Sequence, residues 1–290
     1  MIPLTVQVDA GHGGRWTSLR GGGREWLWHR DEPQRAHVIP GDAFVDAGGF
    51  EECVPTVRGF PDHGDAWSRA WKVADDAGLA HVVRCPDFEL TRSIDVRTGA
   101  VVAEYRLTAE PGFRFLWAGH ALLDLSEQAF LQLEQNLQTR LFPEAGPYLG
   151  QAWPDGADWI EENWPAPAGL RLEDLGPADG SAVGAVIYGA GTAAAAVVHD
   201  GPDRLRMTLE AAGQPLSVAL WRNLGGFPRG GPYRSIGVEP MLGRVFDLAQ
   251  AGEGDCAVTP PAGEVRWRLT VTAYHQKEGA DYRGSSGPAA

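Results

Sequence analysis

Cysteine is scarce in this chain. Cys53, Cys85 and Cys256 stand far apart in 290 residues. An odd number at wide spacing fits neither a disulfide framework nor a zinc cluster. The expectation is three inert or buried thiols in a reducing compartment. No apolar run approaches the ~20 residues a membrane-spanning helix needs. No basic segment followed by an apolar stretch marks a signal peptide, so the expected location is the cytoplasm. Basic residues are the minority, 25 Lys and Arg against 38 Asp and Glu, for a formal net charge of −13. That balance excludes nucleic acid as a partner and disfavours anionic membranes and strongly phosphorylated ligands. A phosphate-binding P-loop, an HExxH pair and a G-x-S-x-G elbow in strand–turn–helix context are all missing.

Long helical stretches are missing too, because 38 glycines and 21 prolines punctuate the sequence. Between them lie short β-rich runs: 4–8, 25–29, 80–84, 88–96, 101–108, 113–123, 131–137, 182–188, 193–199, 204–209, 216–221, 234–239 and 264–273. With no helix between strands, a parallel α/β fold is ruled out, and an all-β fold, a large antiparallel sandwich, is expected. The helical candidates are short, at 126–130 and at 241–251 after Pro240. Residues 1–278 are expected to form a single β-sandwich domain, with a Gly/Ser/Ala-rich flexible tail at 279–290. Near Tyr188, Gly189, Gly191 and Ala194 match the spacing of a dinucleotide fingerprint. The run that follows ends in Asp200-Gly201-Pro202-Asp203 rather than continuing as a helix, so a hairpin with a glycine turn is the better reading.

Tryptophan is the residue present in excess, with 11 copies. Most are expected in the core. Trp153-Pro-Asp-Gly-Ala-Asp-Trp159 mixes rings with carboxylates, a composition suited to sugars, and nominates Trp153, Asp155 and Asp158 as substrate contacts. Three segments carry acid–base chemistry: Phe60-Pro-Asp-His-Gly-Asp-Ala-Trp67, Phe115-Leu-Trp-Ala-Gly-His-Ala-Leu-Leu-Asp124 and Gly237-Val-Glu-Pro-Met241. His63, His120 and Glu239 thus each sit in apolar or aromatic surroundings. A carboxylate with two imidazoles is an inventory for proton transfer near neutral pH. Singly, each has a plain alternative: a turn histidine, a satisfied core histidine, a capping or salt-bridged glutamate. The other histidines, at 12, 29, 37, 81, 199 and 275, show no ligand spacing.

Taken in order, these segments resemble motifs of the aldose 1-epimerase (galactose mutarotase) superfamily. Gly21–His29, ending in Leu-Trp-His, is similar to an early strand. His63-Gly64 matches the core of the first histidine motif, Gly119-His120 the second, and Ile236-Gly-Val-Glu-Pro-Met241 the catalytic-glutamate motif. Pro260-Pro-Ala-Gly-Glu264 before Trp267–Thr272 is similar to the closing strand. The resemblance implies an antiparallel sandwich whose concave face holds one sugar, and a reaction with no metal or cofactor. It implies Glu239 as the base on the C1 hydroxyl, His120 as the acid on the ring oxygen, and His63 as a sugar hydrogen-bond partner.

Two departures stand out. Gly119 replaces the usual asparagine before the second histidine. Trp67 stands four residues after His63, where the branch acting on 6-phosphorylated hexoses carries arginine, with Arg69 two places further. With the negative charge, this favours an unphosphorylated sugar, and Trp67 and Arg69 are candidate contacts. Monomer and homodimer both remain open. Two other functions also remain open: a non-catalytic sugar-binding protein, and a hydrolase or lyase pairing Glu239 with Asp155 or Asp158.

Overall fold

A computed structural model describes residues 1–75 and 79–275. The tail expected at 279–290 lies outside the described residues. Two antiparallel sheets face each other. The larger runs in the order Leu4–Asp9, Arg15–Gly21, Phe50–Cys53, Trp117–Leu123, Arg234–Leu242, Leu216–Leu224, Ala182–Tyr188, Gln138–Leu141 and Ile160–Asn163, with Arg24–Glu25 paired onto Arg15–Gly21. The smaller runs Phe130–Gln132, Ala193–Asp200, Asp203–Ala211, Glu264–His275, Ala100–Ala109, Phe88–Arg97, Ala80–Arg84 and Lys72–Val73. A two-stranded ribbon, Arg114–Phe115 with Ala257–Val258, stands apart. This is the expected antiparallel sandwich. Among the described residues no helix is long and apolar enough to cross a membrane.

Alternation along each strand divides inside from outside. In Trp117–Leu123, Trp117, Ala121 and Leu123 join the core between the sheets, while Ala118 belongs to a second apolar cluster on the outer face of the larger sheet. Because both faces are covered, all seven residues are buried and the sequence reads as a continuous apolar run. The neighbouring strand Arg234–Leu242 behaves alike, sending Ile236, Val238 and Leu242 inward and Met241 outward.

Trp117 of the larger sheet meets Trp267 of the smaller at 5.3 Å between centroids, and Tyr105 stacks on Trp267 at 5.1 Å. Into this aromatic layer the chain inserts an ion pair. Glu52 accepts from Arg92 Nη1 at 2.6 Å, from Trp117 Nε1 at 2.7 Å and from the Tyr105 hydroxyl at 3.0 Å. Both charged side chains are 0% exposed. Two aromatic donors satisfy the Glu52 carboxylate, while the Arg92 guanidinium lies over the Trp71 ring and its Nε and Nη2 have no hydrogen-bond partner among the described residues.

Several expectations are corrected. The 241–251 segment is not a helix: the strand runs on to Leu242, and only Leu248–Gln250 forms a 3-10 turn. Pairing with strands on both sides holds residues 234–242 extended, overriding the helix-start signal of Pro240. At 126–130 there is a turn rather than a helix. The glycine turn after Tyr188 is not a hairpin either: Ala182–Tyr188 lies in the larger sheet and Ala193–Asp200 in the smaller, so residues 189–192 carry the chain between layers. Gly191 adopts φ 65° there. The run at 113–123 is divided between the ribbon strand Arg114–Phe115 and the larger-sheet strand Trp117–Leu123, and of the run at 131–137 only Leu131 and Gln132 lie in a strand.

Candidate active site

The outward-facing residues of the central strands build a cavity on the larger sheet. Glu239 and His120 lie on adjacent strands, Arg234–Leu242 and Trp117–Leu123. Glu239 Oε1 is 3.7 Å from His120 Nε2, within charge contact but beyond a hydrogen bond. Glu239 is 2% exposed, and its Oε2 has no hydrogen-bond partner among the described residues. Burial raises the Glu239 carboxyl above the ordinary carboxylate range, with His120 and Arg58 pulling partly back.

These two strands each carry a glycine beside the site. A Cβ on Gly237, two residues before Glu239 on the same face, would collide with Glu239 Oε1. The small residue leaves the carboxylate its place. Gly119 points the other way: a Cβ there would meet the Phe50 ring, which is part of the inter-sheet core. The departure from asparagine at 119 therefore alters the core side of the strand, not the cavity.

His63 arrives on a loop. Its backbone is left-handed, φ 56°, one of three such non-glycine residues among those described, and Gly64 follows at φ 81°. A Cβ on Gly64 would collide with the Val54 carbonyl, so the His-Gly pair packs against the preceding chain through glycine alone. The His63 imidazole stacks on Phe44 at 3.7 Å between centroids and stands edge-on to His120 at 5.3 Å. Its Nδ1 lies 2.8 Å from Asp62 Oδ1.

The cavity they share encloses about 490 Å³. Phe44, Leu122, Trp221, Phe227 and Phe246 form its apolar wall, and Asp46, Arg58, Glu144 and Tyr233 add polar groups. Arg58 is already engaged: its Nη1 donates to Glu144 Oε1 at 2.6 Å, and its guanidinium lies over Phe246. Asp46 accepts from the Tyr233 hydroxyl at 2.5 Å. Among the described residues no group of three or more His, Cys, Asp or Glu is arranged to hold a metal ion.

No family model and no curated protein matches the sequence. Solved structures do. A provisionally assigned aldose 1-epimerase of Escherichia coli K12 aligns with TM-score 0.67 at 14% identity, covering 95% of this chain and 99% of that one. This is the galactose mutarotase-like fold. A galactose mutarotase-like protein of Lactobacillus casei (TM-score 0.62, 16% identity, 94% of this chain and 97% of that one) is also similar. So is the Slr1438 protein of Synechocystis (TM-score 0.64, 15% identity, 95% and 96%).

In this mutarotase-like sandwich His63, His120 and Glu239 meet at one cavity, whereas the other nominated residues lie elsewhere. Trp67 is buried beside it and donates its Nε1–H to the Asp62 carbonyl at 2.9 Å. Arg69 pairs with Asp65 at 3.2 Å. Asp155 and Asp158 are exposed, and Trp153 lies against Gly146, 3.5 Å from a Cβ built there. None of these five lines the cavity. The walls that sequence reasoning missed, Phe44, Asp46, Arg58, Glu144, Phe227 and Tyr233, come from loops or strand ends with no local pattern. Trp221 had a signal, since it faces outward on a strand whose inward Leu216, Val218, Leu220 and Leu224 are apolar.

Proposed function

We propose that this protein interconverts the α and β anomers of an unphosphorylated aldose by acid–base-catalysed ring opening. One observation carries the reading: a buried glutamate with a free oxygen, held beside an imidazole at the floor of an aromatic cavity. Glu239 takes the proton of the C1 hydroxyl as His120 protonates the ring oxygen. The C1–ring-oxygen bond breaks, giving the open-chain aldehyde. Rotation about C1–C2 and reversal of both transfers close the other anomer. His63 hydrogen-bonds the sugar beside this centre.

A carboxyl raised by burial is a better base near neutral pH than a solvated one. Imidazole titrates in the same range. Only protons move, so the chemistry asks for no electron or group carrier. The aromatic wall suits the C–H faces of a pyranose, and Asp46, Arg58 and Glu144 suit its hydroxyls. An unphosphorylated substrate is supported by the pairing of Arg58 with Glu144, which leaves no uncompensated cation for a phosphate. Three free cysteines support a reducing, cytoplasmic setting. The hydrolase alternative has less support, because Asp155 and Asp158 are exposed and outside the cavity lining.

The test is anomer exchange followed by NMR or polarimetry on a panel of fresh α-sugars. Wild type should accelerate exchange of at least one, and Glu239→Gln should lose 10²-fold or more, about the contribution of one acid–base group. Full activity in Glu239→Gln on a confirmed substrate defeats the mechanism.

A further inference from the structure

Asp62 touches three neighbours at once. Its Oδ1 lies 2.8 Å from His63 Nδ1, and its Oδ2 accepts the Phe44 backbone N–H at 2.8 Å. Its backbone carbonyl accepts the Trp67 Nε1–H at 2.9 Å. The anchored Phe44 is the residue whose ring stacks on His63 and stands edge-on to His120 at 5.5 Å. One side chain therefore holds an imidazole and the aromatic ring lying on it.

The donor and acceptor count leaves one arrangement for the neutral imidazole. A backbone amide can only donate, so Oδ2 accepts. An ionised carboxylate has no proton to give, so the ring nitrogen facing Oδ1 must carry one. Burial pushes the Asp62 carboxyl up, but the hydrogen bonds from His63 and the Phe44 amide outweigh it and hold it below the usual range. The carboxylate is thus ionised at neutral pH and above.

We propose that Asp62 is a positioning residue that fixes the His63 imidazole in its Nδ1–H tautomer, leaving Nε2 a bare acceptor for a ligand in the cavity. The same carboxylate locks the ring plane through Phe44, so tautomer and orientation have one cause. The catalytic consequence rests on the anomer-exchange reading: His63 would accept from a sugar hydroxyl rather than donate to it. The tautomer assignment does not depend on that reading.

Asparagine tests this sharply, because it has one acceptor where aspartate has two. In Asp62→Asn the Phe44 amide claims the oxygen and the NH2 group turns to His63 Nδ1, which must then accept. The proton moves to Nε2. The measurement is a two-bond nitrogen–proton correlation spectrum of the histidine rings at about pH 9, where imidazole is neutral, with His63 assigned through a His63→Asn variant. Wild type should show Nδ1 protonated and Nε2 bare, and Asp62→Asn the reverse. Phe44→Ala keeps the amide and removes the ring, and should leave the tautomer as in wild type. With a confirmed sugar, Asp62→Asn should lower kcat/KM about 10- to 100-fold, the scale for outer partners of a functional imidazole.

A proton on Nε2 in wild type overturns the proposal even if Asp62→Asn does not fold. An unchanged tautomer in folded Asp62→Asn, or a switched one in Phe44→Ala, overturns it as well. The spectra need no sugar, so failure of the tautomer assignment and failure of the anomer-exchange reading are separate results.

Discussion

Gly237 and Glu239 share one face of one strand, and the absent side chain of the first is the space occupied by the carboxylate of the second. The relationship is steric rather than conformational, since Gly237 is not among the glycines at positive φ. Gly237→Ala should therefore preserve the fold while displacing Glu239. A misplacement of about 1 Å at a reacting group costs on the order of 10²-fold in rate, and that loss is expected in kcat on a confirmed sugar. Circular dichroism should match wild type. An alanine variant with unchanged kcat would show that Glu239 does not depend on the space left at 237.

The buried Glu239 carboxyl predicts a pH-dependent cost to stability. Its folded pKa is raised by burial, so the protonated form is favoured in the native state. Stability from this group is present below the ordinary glutamate pKa of about 4.3 and is lost as pH rises through the higher folded value. Glu239→Gln, neutral throughout, should melt above wild type at pH 7, with the difference closing near pH 4. About 2–4 °C of Tm corresponds to 1 kcal/mol in a chain of 150–250 residues, so thermal melts across this range resolve the effect. Equal melting at pH 7 would mean that His120 and Arg58 offset the burial in full.

The Glu52–Arg92 pair should behave as a buried charge pair does. Arg92→Leu leaves Glu52 uncompensated between the sheets and is expected to cost about 3–5 kcal/mol, read by urea denaturation. Adding Glu52→Gln removes the stranded charge and should recover part of that loss. A double variant no more stable than Arg92→Leu alone would locate the cost in packing instead.

The sequence made the strands legible where apolar runs were long and bounded by turns, as at 182–188 or 264–273. It hid Phe50–Cys53 and Ile160–Asn163, which are short and carry adjacent carboxylates: Glu51 and Glu52 both point into buried surroundings and find arginines there. A run of charge in so short a segment gives no alternation to read. The sequence also joined strands that the structure divides between sheets, because a change of layer at residue 116 or residues 189–192 leaves no more trace than a bend. His63, His120 and Glu239 stood out because each interrupts an apolar or aromatic segment. Arg58, Asp46 and Glu144 sit in loops whose polar residues look like any others until the chain folds them over the sheet. The tryptophan-rich segment at 153–159 misled for the converse reason, since its composition suited a sugar but its place lies outside the cavity.

The strands bearing His120 and Glu239 are hydrogen-bonded neighbours although they come from opposite halves of the chain. They stand 119 residues apart in sequence, and no local folding event creates their contact. Long-range antiparallel pairing of this kind forms slowly compared with local structure. The cavity is therefore a late product of folding: after dilution from denaturant, any activity that needs both His120 and Glu239 would report the closing of the central sheet rather than the first appearance of β-structure.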